Sequence, residues 1–292
     1  VTLGDFDYDR HYFPLGGHQM HYVDEGPKDA PVLLMVHGNP TWSYYFRHLI
    51  QAFSRDFRVV VPDHLGCGLS DKPQDFSYTL EAHCNHLSQL IQHLDLKQIT
   101  LLVHDWGGAI GFGAAVAAPE RFEKFVVFNT AAFFVPRLPA RIAVCRIPVL
   151  GELLVRGLNG FVLASFFFAT SRPERFDRTT RKGYLAPYDS WRHRVAIHRF
   201  VQDIPMREDH PTRKTLQRIE EGLGQFQSHP MKVFWGMDDF CFTAQHFLCE
   251  WEKRFPQAEV HRLNGAGHYV VEDAQEHIIP MLQEWLNPTQ VG

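Results

Sequence analysis

Six short apolar runs, separated by longer stretches of helical character, set the limits on what this chain can fold into. They are VLLMV (residues 32–36), RVVVPD (58–63), ITLLVH (99–104), KFVVFN (124–129), MKVFWG (231–236) and AEVHRL (258–263). Runs of this length, rich in β-branched residues and apolar without alternation, suit strands buried on both faces of a parallel sheet. Parallel neighbours need crossover connections, and the intervening segments 80–94 and 108–118 read as helices. The pattern predicts an α/β fold: a mostly parallel central sheet flanked by helices, with right-handed crossovers.

The rhythm breaks between about residues 133 and 229. That stretch is helical in character, and Phe133, Phe134, Phe161, Phe166, Phe167 and Phe168 gather in its first half. It reads as a helical cap, 133–229, inserted into a core made of 1–132 and 230–292. Such a cap lies over the C-terminal ends of the strands, the edge at which open α/β sheets bind ligands. The phenylalanines have two available roles, packing inside the cap and walling an apolar pocket.

The chain is 45% hydrophobic, enough for a substantial core and unlike a disordered chain. A net charge of −4 with no long basic run gives nucleic-acid binding no support. Five cysteines without a framework spacing fit free thiols in a reducing compartment. The opening VTLGDFDYDRHYF is polar and acidic, unlike a signal peptide. Together these predict a cytoplasmic protein. The most apolar stretch, 147–170, is interrupted by Glu152, Arg156 and Asn159. A spanning helix needs about 20 apolar residues, so the stretch reads as a pair of amphipathic helices. Self-association, a partner or a membrane surface are its open alternatives.

LLVHDWGGAIG (101–111) has the form of a nucleophile elbow: an apolar strand, one residue at a sharp turn, then glycines opening a helix. The residue at the tip is Asp105, followed by Trp106. Gly107 and Gly108 supply the small neighbours such a turn needs, whereas Val103, two residues before, is larger than the usual glycine. An isolated Asp105 would read as a helix N-cap; the rest of the constellation favours a nucleophile. NGAGHYVVED places His268 in a glycine-rich loop after the last strand, a position for a base. In FWGMDDFCF a Gly-x-x-Asp turn singles out Asp239 as the orienting acid, with Asp238 a solvated neighbour. Asn129 and Thr130, at the other strand end where an acid could stand, are neutral. The order Asp105, Asp239, His268 follows the triad sequence of elbow hydrolases.

VHGNPTW puts His37, Gly38, Asn39 and Pro40 directly after a strand. A backbone N–H from this loop and that of Trp106 would form an oxyanion hole. PDHLGCGLSDKP is expected to be structural, with Asp63 tying loops together. His83 and His86, three apart on a helix, have no further ligands nearby and are expected to face solvent. No metal or cofactor is expected.

HGNPTW, PDHLGCGLSDKP, HDWGGAIG, WGMDD and GAGHYVVED occur in order over nearly the whole chain. In this the sequence resembles the haloalkane dehalogenase family of α/β-hydrolases. The resemblance implies that Trp106 and Asn39 bind halide. It also implies hydrolysis of a carbon–halogen bond through an alkyl ester on Asp105, with a small apolar halogenated substrate, water and halide as partners. The chain looks most like the third subfamily, which is also similar to β-lactone decarboxylases of olefin biosynthesis, so decarboxylation to a long-chain alkene is the alternative. The residue types suit such chemistry. A serine attacking saturated carbon would leave an ether; a carboxylate leaves an ester that can be resolved. An anion released into an apolar pocket needs donors, and Trp106 and Asn39 offer neutral ones. An epoxide hydrolase would share Asp105 but need cap tyrosines, for which only Tyr184 and Tyr188 offer themselves. A fluoroacetate-type dehalogenase needs cations where Trp106 stands.

Overall fold

The computed structural model describes residues 6–286. Its centre is an eight-stranded sheet: β1 (His11–Leu15), β2 (His18–Glu25), β3 (Val32–Val36), β4 (Arg58–Pro62), β5 (Ile99–Asp105), β6 (Phe122–Thr130), β7 (Met231–Gly236) and β8 (Glu259–Leu263). The order is β1-β2-β4-β3-β5-β6-β7-β8. β1, β2 and β4 pair antiparallel, and every other pairing is parallel. All six apolar runs are strands, their ends shifted by no more than two residues. The hairpin β1–β2 is additional: β1 is the edge strand, partly exposed, and β2 is buried over Met20–Asp24 but interrupted there by His21 and Asp24, so no continuous apolar run marks it.

Successive residues of the central strands enter opposite cores, as a pleated strand requires. Leu34, Leu101 and Val127 pack under helices α2 (Leu80–His93) and α3 (Trp106–Ala117). Leu33, Leu102 and Val126 pack under α1 (Arg47–Phe53) and the helix Val270–Leu286. Both layers are fully buried, which places the C-terminal strand ends on a stiff base.

α3 lies close against the sheet because glycines line its inner face. A Cβ at Gly107 would overlap the Val36 carbonyl, and one at Gly108 would overlap the Thr130 hydroxyl. At Gly111 it would stand 2.7 Å from a Val103 methyl. The larger Val103 is thus accommodated by space on the helix side. His83, expected to face solvent, is instead buried on the inner stripe of α2 with Leu80, Cys84 and Leu87. Its ring stacks on Phe200 at 4.6 Å, and burial pushes its pKa down to about 3, so it packs as a neutral flat ring. His86 is half-buried and stacks on Phe76.

From β6 to β7 the described residues contain helices and turns but no strand. Within 147–170, Leu150–Gly157 and Gly160–Phe168 meet at 77°, broken by Asn159 in the left-handed region (φ 53°). No single helix among the described residues is long and apolar enough to cross a membrane. All five cysteines are free.

Candidate active site

Asp105 ends β5, where the pairing with β6 shifts register between His104 and Asp105. Its backbone is at φ 52°, ψ −127°, a region costly for any residue with a Cβ. Neighbours hold it there. The Thr130 hydroxyl donates to the Asp105 carbonyl. The Asn39 backbone N–H donates to its Oδ1 at 2.6 Å. The loop approaches this closely because residue 38 is glycine; a Cβ there would overlap the Asp105 carboxylate.

The other carboxylate oxygen, Oδ2, lies 3.5 Å from His268 Nε2. On the far side of the ring, His268 Nδ1 is 2.8 Å from Asp239 Oδ2. Asp239 is saturated with donors. Its Oδ1 accepts from the N–H groups of Cys241 (2.7 Å) and Phe242 (3.0 Å), and its Oδ2 also accepts from Asn129 Nδ2 at 2.9 Å. Asp238 is exposed beside it. The His268 backbone is fixed too: its carbonyl accepts from His104 Nε2 at 2.9 Å, and Phe242 lies parallel to its ring at 5.6 Å.

Asn129 had no sequence signal beyond being neutral. It bridges β6 to β7, accepting from Gly236 N–H at 2.7 Å while its amide holds Asp239. Its place at a strand end facing the acid's turn is the only clue the sequence contained. The Gly-rich loop after β4 is tied as expected: Asp63 accepts from Ser43 N–H at 2.7 Å, Leu69 N–H at 2.9 Å and His21 at 2.8 Å.

The charges support one another. Burial works against a protonated His268, but Asp239 and the contact with Asp105 outweigh it and push its pKa up to about 10. Burial would raise Asp105, yet the contact with His268 holds it below the ordinary carboxylate range. Burial, reinforced by His268, pushes His104 down to about 3, which keeps it a neutral donor. Standing between Asp105 and Asp239, the ring of His268 is thus favoured in its protonated form.

A cavity of about 460 Å³ opens above Asp105, with Trp106, Asn39 and His268 also in its wall. Trp106 is half-buried, its ring 5.4 Å from Phe200, and its indole N–H has no acceptor among the described residues. Asn39 lines the cavity, but its Nδ2 also donates to the Ile197 carbonyl at 3.2 Å. One amide N–H is left over, and its Oδ1 has no hydrogen-bond partner. The phenylalanines divide: Phe133, Phe134, Phe161 and Phe168 wall the cavity, Phe166 packs against Phe176 and Tyr184, and Phe167 is exposed. Tyr184 and Tyr188 stand outside the cavity wall, their hydroxyls donating to Glu272 (2.6 Å) and the Thr41 carbonyl (3.3 Å). Neither is placed to protonate an epoxide. No cluster able to hold a metal occurs among the described residues.

An alpha/beta hydrolase fold family profile matches residues 31–275. The chain belongs to that family, and its sheet order and elbow are the family's fold. Within the family, it is 40% identical to the cis-3-alkyl-4-alkyloxetan-2-one decarboxylase of Shewanella oneidensis, covering 96% of this chain and 89% of that protein. It is 41% identical to the protein of the same name in Xanthomonas campestris, over 92% and 93% of the two chains. Haloalkane dehalogenase 2 of Mycobacterium tuberculosis is 30% identical over 96% and 95%. Among solved structures, the haloalkane dehalogenase DatA of Agrobacterium tumefaciens matches with a TM-score of 0.85 at 26% identity, covering 99% of both chains.

Proposed function

We propose that this chain decarboxylates cis-3-alkyl-4-alkyloxetan-2-ones to an alkene and CO2. One observation carries the reading: relatives of that name are 40% and 41% identical over nearly the whole chain, against 30% for relatives named haloalkane dehalogenase. The expected order of the two readings is thereby reversed. The cavity supports a dialkyl substrate. Its volume of about 460 Å³ falls in the usual range for ligand pockets, and Asp105, Asn39, Trp106 and His268 all stand in its wall.

Asp105 is the nucleophile. Its carboxylate attacks ring carbon C4 and the C4–O bond breaks. This forms an alkyl ester on Asp105 and a carboxylate still attached to C3. That carboxylate emerges in an apolar cavity, where the Trp106 indole N–H and the remaining Asn39 amide N–H are neutral donors for it. Donors that bind more strongly as charge develops lower the barrier. The electrons of the C3–carboxylate bond then become the C3=C4 double bond. CO2 departs, the ester C–O bond breaks, and Asp105 regains its charge beside the imidazolium of His268. Asp239, held by Asn129, keeps His268 charged and in place. Attack inverts C4, and anti elimination then delivers the cis-alkene from the cis-lactone. No water enters the sequence.

A second reading, dehalogenation, is favoured by Trp106, which lines the cavity next to Asp105 with no acceptor for its indole N–H among the described residues. A haloalkane would give the same ester, which water must then cleave. In that ester Asp105 carries no charge. His268 has lost one of the two anions that favour its protonated form, so it releases its proton to solvent and, as the neutral ring, takes one from the attacking water.

The test is a paired assay: alkene formation from a cis-3,4-dialkyloxetan-2-one against halide release from 1,2-dibromoethane. The oxetanone is expected to show the larger kcat/KM; the opposite ranking overturns the decarboxylase reading. Heavy-oxygen water sharpens it, because decarboxylation leaves Asp105 unlabelled whereas dehalogenation labels its carboxylate over repeated turnovers.

A further inference from the structure

Large apolar side chains are exposed in one region. Of the twelve such side chains among the described residues, ten lie between positions 144 and 191, including Val149 (82% exposed), Leu158 (63%) and Phe167 (61%). Val144 and Phe168 are both exposed and part of the cavity wall, so the patch reaches the cavity. Concentrated exposed apolar surface marks an interaction site.

Positive charge is concentrated in the same region. Residues 131–200 hold 12 Lys and Arg against 4 Asp and Glu, a net charge of +8 with His neutral. The rest of the chain holds 17 against 29, a net charge of −12. The cations stand against the apolar tips: Arg141 lies 4.1 Å from the Phe168 ring and Arg181 lies 5.3 Å from the Phe167 ring. Arg178, Lys182 and Arg192 are exposed in the same stretch of chain. The bend of 77° between Leu150–Gly157 and Gly160–Phe168 makes this an apolar corner.

We propose that this corner docks on the surface of an anionic lipid bilayer. Leucine, phenylalanine and tryptophan flanked by Lys and Arg are the composition of a surface that lies in the interface and does not span it. The charge decides the occupant. A second copy seated symmetrically on the patch would bring two net-positive segments together, which like-charge repulsion opposes. An anionic headgroup layer is attracted to the same segment. The docking argument does not use the substrate. With a dialkyl oxetanone it gains a purpose, and that clause rests on the decarboxylase reading: the docked patch adjoins the cavity, next to the layer in which such a molecule dissolves.

The experiment is co-sedimentation of the full chain with vesicles of phosphatidylcholine alone and of phosphatidylcholine and phosphatidylglycerol in equal parts. Binding is expected to the anionic vesicles and to weaken as salt is raised. Arg178→Ala, Lys182→Ala and Arg192→Ala are each expected to weaken it about fivefold. The triple variant Val149→Ser, Leu153→Ser, Phe167→Ser is expected to weaken it about a hundredfold or more. None of these three lines the cavity, so turnover of a short, water-soluble oxetanone and the circular dichroism spectrum are expected to stay unchanged. Absence of binding to anionic vesicles overturns the proposal. So does a stable dimer in ultracentrifugation that the triple variant dissolves, which would assign the corner to a second copy or a protein partner. Vesicle binding without oxetanone turnover would strike the proposed function and leave the docking intact.

Discussion

The floor of the cavity and the segment that walls it are built on opposite principles. The floor is polar and over-determined. Asp239 accepts four hydrogen bonds, Asp105 is held by both its carboxylate and its carbonyl, and His268 is fixed by ring and backbone. The helical segment between β6 and β7 offers the cavity mostly apolar side chains, and it leaves many others exposed to solvent. The difference teaches where each property resides. Charge is positioned by loops anchored on a buried sheet, while much of the cavity's apolar wall comes from a segment that also leaves many apolar side chains exposed. Low-dielectric charge placement needs rigid supports, whereas apolar contact is non-directional.

Substitutions in the floor should therefore cost rate, and those in the exposed segment should cost little. The largest effect is expected from Asp105→Asn, which keeps the shape and removes the nucleophile: turnover falls by ~10⁵-fold or more. Retained alkene or halide release would remove Asp105 from that role. Trp106→Phe deletes one neutral donor and is expected to lower kcat by roughly 10²–10³-fold, by analogy with loss of an oxyanion donor. An effect on KM alone would mean that the indole only packs. Asn129→Ala strips one of the two side-chain donors from Asp239 Oδ2 and is expected to cost roughly 10- to 100-fold, with a shifted pH profile. A change in melting temperature without a change in that profile would make Asn129 merely structural.

The pH dependence of stability tests the same floor. The pKa of His268 is raised from 6.5 to about 10 in the folded chain, so its ion pairs stabilise fully below pH 6.5. That contribution is lost as pH rises through about 10. The melting temperature of the native chain is expected to fall across this window more steeply than that of His268→Phe. Equal slopes would show that the imidazolium is not held by the two carboxylates. The smallest effect is expected in the exposed segment: Leu158→Ser should leave unfolding free energy within about 0.5 kcal/mol of the native chain. A larger loss would show that the segment is as tightly specified as the floor.

Much of this arrangement was legible in the sequence. The central strands announced themselves because a strand buried on both faces must be apolar at every position. The elbow announced itself because a helix pressed against a sheet needs glycines at fixed offsets. Asp105, His268 and Asp239 followed as residues placed at known strand ends. The β1–β2 hairpin escaped because β1 is a partly exposed edge and because His21 and Asp24, buried and polar, break the apolar run of β2. His83 escaped because imidazole is equally plausible in water and, when neutral, as a flat ring against Phe200.

What the sequence determined by itself was local: which segments become buried strands, where the backbone must turn sharply, and which chemical groups stand at those turns. Only the tertiary structure decided what meets across long separations. Asn129 reaches Gly236 and Asp239, more than a hundred residues away, because β6 and β7 are neighbours in the sheet. It decided which phenylalanines wall the cavity, since six similar residues in one stretch take different directions only when the segment is packed on the core. It also set the charge of His268, because a pKa is fixed by the distances to two carboxylates and by burial, and neither quantity exists before the chain has folded.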